Sequence, residues 1–263
     1  SQSNAILIAA IFWVGFIENS RAALTPEENE PDLRTTRLSV KVQLFENLPL
    51  GSEFELNEAR PTEEYWERAF GFARFPTKYS ENALPLDRSS LFVVRALSQR
   101  AIAAGQYQFR LRAKGAAQFL IDGRLVASTA PQKANSAGND RVPPPVERGD
   151  SHFRPVQYPH QESVVAIRLD GENHEFALVA LIGGKGLVPS PGELSVAFGA
   201  VGESPRLLGD PDSSLLTDDG WKSYAAEQNE RHRQSDLTRR LFLSSAERLK
   251  WEEYHREVRR RIN

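Results

Sequence analysis

The chain has 263 residues, 40% of them hydrophobic, which is enough for a packed core and for one large or two small domains. Its 33 basic and 35 acidic residues leave a formal net charge of -2, so nothing in the balance asks for nucleic acid or another polyanionic partner. The absence of cysteine excludes disulfide frameworks, thiolate metal sites, C-x-x-C redox chemistry and covalent haem attachment.

The first apolar run, Ala5 to Ile17, is shorter than the roughly 20 residues of a membrane-spanning helix but suits the core of an export signal. Ser20 and Ala22 then place small residues where a signal peptidase reads. Residues 1–23 are therefore expected to be a signal peptide or an uncleaved anchor, with a buried core segment as the remaining alternative. Residues 24–37 are acidic, carry Pro26 and Pro31, and read as a linker. This predicts an exported protein of the periplasm, cell surface or extracellular space, touching membrane only if residues 5–17 persist as an anchor.

From Leu38 to Phe45 apolar and polar side chains alternate, which predicts a half-buried strand with Leu38, Val40, Val42 and Leu44 on the core face. In Asn57 to Tyr79, Thr62 is placed to cap a short helix carrying Tyr65, Trp66, Ala69 and Phe70, an aromatic plug for one edge of the core. Leu91 to Arg95 and Gln106 to Arg112 read as strands. Two further apolar pieces, Gln118 to Ile121 and Leu125 to Val126, flank Asp122-Gly123, a strong signal for a two-residue hairpin turn. Residues 128–162 contain six prolines and little periodicity, a connection long enough to be either functional or disordered. Strands resume at Ser163 to Leu169, Glu175 to Ile182 and Glu193 to Phe198. The expected fold is mostly β, an antiparallel β-sandwich over 38–200, followed by a linker at 201–216.

Residues 217–263 differ in kind, with 11 basic and nine acidic side chains interspersed and partial helical spacing from Leu237 to Ile262. Thr217-Asp218-Asp219 suits a helix start and Ser244 with Glu247 has capping-box form, so this charged helical tail is one helix or two. Its charges read mainly as a solvated face; the alternative is a coiled-coil or docking role.

Gly105, Tyr107, Phe109, Leu111, Ile121, Asp122, Gly123 and Val126 form a pattern that resembles the PA14 domain, and Arg168 to Leu178 fits that family's late turn and strand. The resemblance spans about Leu38 to Gly199. It implies a PA14-like β-sandwich, often associated with carbohydrate binding in bacterial toxins, glycosidases and fungal adhesins. The whole layout also resembles the front of large exported planctomycete multidomain proteins. Where members of the family carry an Asp-rich turn that holds calcium, this chain has Lys114-Gly115-Ala116-Ala117, so the sequence calls for no cofactor and gives calcium no ligands there.

Neither H-E-x-x-H nor G-x-S-x-G occurs, and Gly183-Gly184-Lys185-Gly186 lacks the Ser or Thr of a phosphate loop, so it reads as a turn. The expectation is a non-catalytic recognition module for a glycan or cell-surface polysaccharide. Two alternatives stand beside it: a scaffold whose tail, 217–263, docks a protein partner, and the non-catalytic front of a larger exported enzyme. Asp122 reads either as a turn residue bonding its own backbone or as a carboxylate for sugar hydroxyls, beside Arg124 and Lys114 at the sandwich rim. His152 and His160, with Asp150 and Glu162 in the Pro-rich loop, are further candidates for a ligand or metal contact.

Overall fold

The alternating segment at Leu38 is a strand from Val40 to Glu46 (β1), buried on both faces rather than one. Val40, Val42 and Leu44 enter the main core, while Phe45 on the opposite face packs with Leu56, Val93 and Val179 in a satellite cluster. The computed structural model describes residues 40–48, 54, 56, 59–80, 85–88, 91–131, 153–157, 159–184 and 190–241, with 253, 256 and 260 beyond them. The expected export segment and linker, residues 1–37, lie outside the described residues, as do His152, Asp150 and the Ser244 capping box.

The helix expected after Asn57 is not formed. Glu63–Glu67 is instead an edge strand (β2), antiparallel to β1 from Val40↔Glu67 to Leu44↔Glu63. Thr62 caps no helix: its backbone N–H and its hydroxyl both donate to Leu44 O, at 2.7 and 2.9 Å. The edge of β1 needs a hydrogen-bonding partner, and that outweighs the helical spacing of Tyr65, Trp66, Ala69 and Phe70. Tyr65 turns inward and Trp66 outward with the two-residue period of a strand. The aromatic plug does form, from Phe70, from Phe72 in the short strand Gly71–Phe72 (β3), and from Phe75.

Short strands Lys78–Tyr79 (β4) and Pro85–Leu86 (β5) pair with each other. The long strands follow: Leu91–Ala101 (β6), Gly105–Ala113 (β7), Ala117–Ile121 (β8), Arg124–Thr129 (β9), Gln161–Leu169 (β10), Asn173–Gly183 (β11) and Leu194–Ala200 (β12), with Arg206–Leu207 (β13) after them. One sheet has the order β2-β1-β6-β11-β8-β9; the other has β10-β7-β12-β13, with β3 also pairing β12. Between them stack Phe109, Phe119, Phe176 and Phe198, with Phe109 to Phe198 centroids 5.7 Å apart and Phe119 to Phe176 6.3 Å apart. Asp122 and Gly123 take φ of 50° and 73°, the left-handed pair of a tight hairpin. The Pro-rich connection leaves β9 and returns to β10 at one closed seam. There Ala130 N donates to Gln161 Oε1 at 3.1 Å, and Gln161 Nε2 donates back to Ala130 O at 2.8 Å.

Residues 201–216, expected as a linker, contain β13 and a 3-10 turn, Ser213–Leu216, and bury Leu207, Leu208, Leu215 and Leu216. The helix Asp218–Leu241 (α1) starts where its sequence indicates, with Thr217 Oγ1 accepting from Gly220 N at 3.1 Å. Gly220 is required there, because a Cβ would stand 1.9 Å from Ser214 O.

The tail is not simply a solvated helix. Tyr224, Gln228 and His232 lie four residues apart on one buried face. Tyr224 Oη donates to Gly71 O at 3.1 Å and Gln228 Nε2 to the same oxygen at 3.0 Å. Gln228 Oε1 accepts from Ala73 N and Arg74 N at 3.0 and 3.2 Å. Glu67 takes His232 Nε2 at 2.8 Å and Arg231 Nη2 at 2.7 Å, and Arg68 bridges Asp210 and Glu227. This seam is largely polar, so hydrophobic periodicity does not reveal it.

Candidate functional site

The sandwich has two ends, and the residues singled out in the sequence divide between them. Asp122 sits at the tip between β8 and β9. Its Oδ1 accepts from Glu175 N at 2.9 Å and its Oδ2 meets His174 Nδ1 at 2.7 Å. His174 Nε2 is 3.0 Å from Asp170 Oδ1. The Asp122 hydrogen bond holds the His174 imidazole above its ordinary range, with both carboxylates adding to it against a smaller loss from burial. The same bond, and then the Glu175 N–H, hold Asp122 below the usual carboxylate range. Asp122 thus fastens its hairpin to β11 in addition to forming the turn. Arg124 is exposed next to it.

Lys114 is not beside Asp122. It lies in the turn between β7 and β8, and the five residues of β8 separate the two by about 17 Å. His160 is near the Lys114 end, since Gln161 pairs with Ala113. Its Nδ1 is 2.9 Å from Gln157 O and its Nε2 accepts from Glu193 N at 2.8 Å, so both ring nitrogens are engaged by backbone. Glu162, grouped with the histidines in the sequence, pairs with Arg112 instead. Among the described residues no group of three metal-ligating side chains comes together. None of their helices is long and apolar enough to cross a membrane.

The His160 end holds what the sequence did not disclose. Arg112, on the outer face of β7, is fully buried: Nε donates to Glu162 Oε2 at 2.7 Å, Nη2 donates to Arg154 O at 2.8 Å, and Nη1 lies 3.6 Å from Glu193 Oε1. Its guanidinium stands 3.8 Å over Phe153, and that of Arg154 stands 4.3 Å over Trp221. Arg154 also pairs with Glu193 and donates to Leu216 O at 3.3 Å; burial pushes its guanidinium below its usual range. Four charged side chains therefore tie the second sheet, the end of the Pro-rich segment and the entry to α1 into one dry cluster. Alternation marks Arg112 as outward-facing, and outward is ordinarily wet; only the tertiary cover of Phe153 and Trp221 makes it buried.

Beside α1 a cleft of about 480 Å³ opens between residues 73–78, Leu86 to Arg88 and the helix face at Ala225 and Asn229. Arg74, Thr77, Lys78, Asp87 and Asn229 give it donors and acceptors, and Phe75, Pro76 and Leu86 give it apolar surface. At its edge Glu46, with a side chain fully buried, is ion-paired to Lys78 and lies 3.7 Å from Arg88, whose Nη2 also donates to Glu63 at 2.6 Å and Pro76 O at 2.7 Å. Arg74, Thr77 and Asn229 are shared with a second hollow of about 270 Å³ that runs on along the helix to Glu230, Arg233 and Asp236. Helix docking makes this groove, because one wall belongs to α1 and the other to the β3–β5 segment.

No family model matches the chain, and no curated protein matches it. Solved structures do resemble it. The PA14 sugar-binding domain from an RTX adhesin is 14% identical with a TM-score of 0.42, over 65% of this chain and 94% of that one. The PA14 domain of the antifreeze protein MpAFP is 11% identical with a TM-score of 0.41, over 67% and 88%. The A domain of epithelial adhesin 6 from Candida glabrata, solved with Galb1-3GlcNAc, is 12% identical with a TM-score of 0.37, over 70% and 90%.

Proposed function

We propose that this protein is an exported, non-catalytic recognition module whose ligand is a carbohydrate, held in the cleft beside α1. The observation that carries the reading is the composition of that cleft: amide, hydroxyl, guanidinium and carboxylate groups around Phe75, Pro76 and Leu86, in a volume suited to one or two sugar rings. Saccharides present hydroxyls at their rims and apolar C–H faces, and this lining offers partners for both. The PA14-like hairpin from Gly105 to Val126 supports the same reading at the level of sequence. Asp122 belongs to the scaffold in this account, and Arg74, Thr77 and Asn229 take the place assigned to it and to Lys114.

A glycan array probed with the full chain, with and without calcium, tests the proposal. Retention of a defined set of glycans, reduced about ten-fold by Asn229→Ala or Arg74→Ala with unchanged thermal unfolding, is the expected result. Absence of retention under both conditions, or retention indifferent to both substitutions, overturns it.

A further inference from the structure

At the Asp122 end of the sandwich two arginines point into the gap between the sheets. Along β6 the even-numbered residues from Phe92 to Ser98 face inward, and Arg100 continues that face directly opposite His174 of β11. Arg206 of β13 is the register partner of Phe198, and its guanidinium lies 4.9 Å over that core ring. The aromatic column Phe176, Phe109, Phe198 spans the gap between the sheets, with centroid steps of 6.2 and 5.7 Å. The Arg100 Nε is buried with no hydrogen-bond partner.

Both arginines are half-buried, and a guanidinium that has lost part of its hydration is ordinarily matched with a carboxylate. Burial holds Arg100 below its usual range and the Arg206 charge lowers it further, with no carboxylate opposing them. His174, across the strand, is already engaged by Asp122 and Asp170, and neither carboxylate pairs with Arg100. Neither arginine forms an ion pair among the described residues. Two forks of N–H donors, one of them over the Phe198 ring, with no paired carboxylate among the described residues, are complementary to a planar or tetrahedral oxyanion.

We propose that Arg100 and Arg206 form an oxyanion-binding site, for the carboxylate or sulfate group of an acidic saccharide or a free anion of the same shape. It lies at the opposite end of the sandwich from the cleft and stands or falls separately from it.

The test follows the Nε–Hε resonances of Arg100 and Arg206 by NMR in the full chain. Sodium sulfate or sodium glucuronate is titrated at constant ionic strength, with glucose as the neutral probe. The expected result is a saturable shift of both resonances with at least one anion and none with glucose. Tighter saturation by glucuronate assigns a saccharide carboxylate, and tighter saturation by sulfate assigns a tetrahedral anion. Arg206→Gln, read through Arg100, weakens affinity about ten-fold, and Arg206→Lys restores part of it. Arg100→Gln, read through Arg206, provides a second route should one variant unfold, and Arg74→Ala in the cleft leaves the titration unchanged. Shifts that are absent or stay linear with both anions, or an affinity that survives Arg206→Gln and Arg100→Gln, overturn the proposal.

Discussion

The Asp122 carboxylate lies 2.7 Å from Nδ1 of His174, 52 residues further along the chain, and locks the β8–β9 hairpin to β11. The contact has a pH signature. His174 has a raised pKa in the fold, so its contribution to stability is complete below its ordinary value of 6.5 and is lost as pH rises through the raised one. Asp122 has a lowered pKa, so its contribution is present above its ordinary 3.8 and is lost as pH falls through the depressed one. His174→Gln therefore lowers the Tm more at about pH 5.5 than at about pH 9. Equal losses at both pH values would show that the ion pair is not the source.

Gln228 gives the clearest test of helix docking. One side chain serves Gly71 O, Ala73 N and Arg74 N, and it is fully buried. Gln228→Ala strands those groups and is expected to cost about 2–3 kcal/mol in urea unfolding, with faster amide exchange in α1. A loss below about 0.5 kcal/mol would mean that the helix is held by other contacts.

The buried charge cluster makes a different prediction. Removing Arg112 leaves Glu162 and Glu193 desolvated without their shared cation, so Arg112→Met should destabilise by about 3–5 kcal/mol. Arg112→Met combined with Glu162→Leu should recover part of that, because the double change removes charge of both signs. Additive losses in a double-mutant cycle would count against a coupled cluster.

The hairpin, most strands and the start of α1 were legible because each follows from a local rule: alternation, a left-handed Asp-Gly pair, or a Thr cap. The segment around Tyr65 and Trp66 misleads because its aromatics satisfy helical spacing while the open edge of β1, a non-local feature, decides its conformation. The cleft and the Arg112 cluster stayed hidden for a related reason. Their walls come from residues such as Arg74 and Asn229, 155 apart in sequence, and docking of α1 by polar side chains leaves no apolar stripe to announce it. Asp122 was rightly singled out as a turn residue, but its partner His174 could be found only through strand order.

The reciprocal bonds between Ala130 and Gln161 also bear on how this chain can vary. They fix where the Pro-rich segment departs, and the buried Phe153 and Arg154 fix it again before it reaches β10, so the sandwich specifies the positions of Ala130 and Phe153 and not the number of residues between them. Loop-closure entropy grows only logarithmically, each doubling adding about 0.6 kcal/mol. The stretch between Pro131 and Phe153 is thus a port at which sequence can be inserted or deleted in bulk while the register of both sheets and the Arg112 cluster are kept.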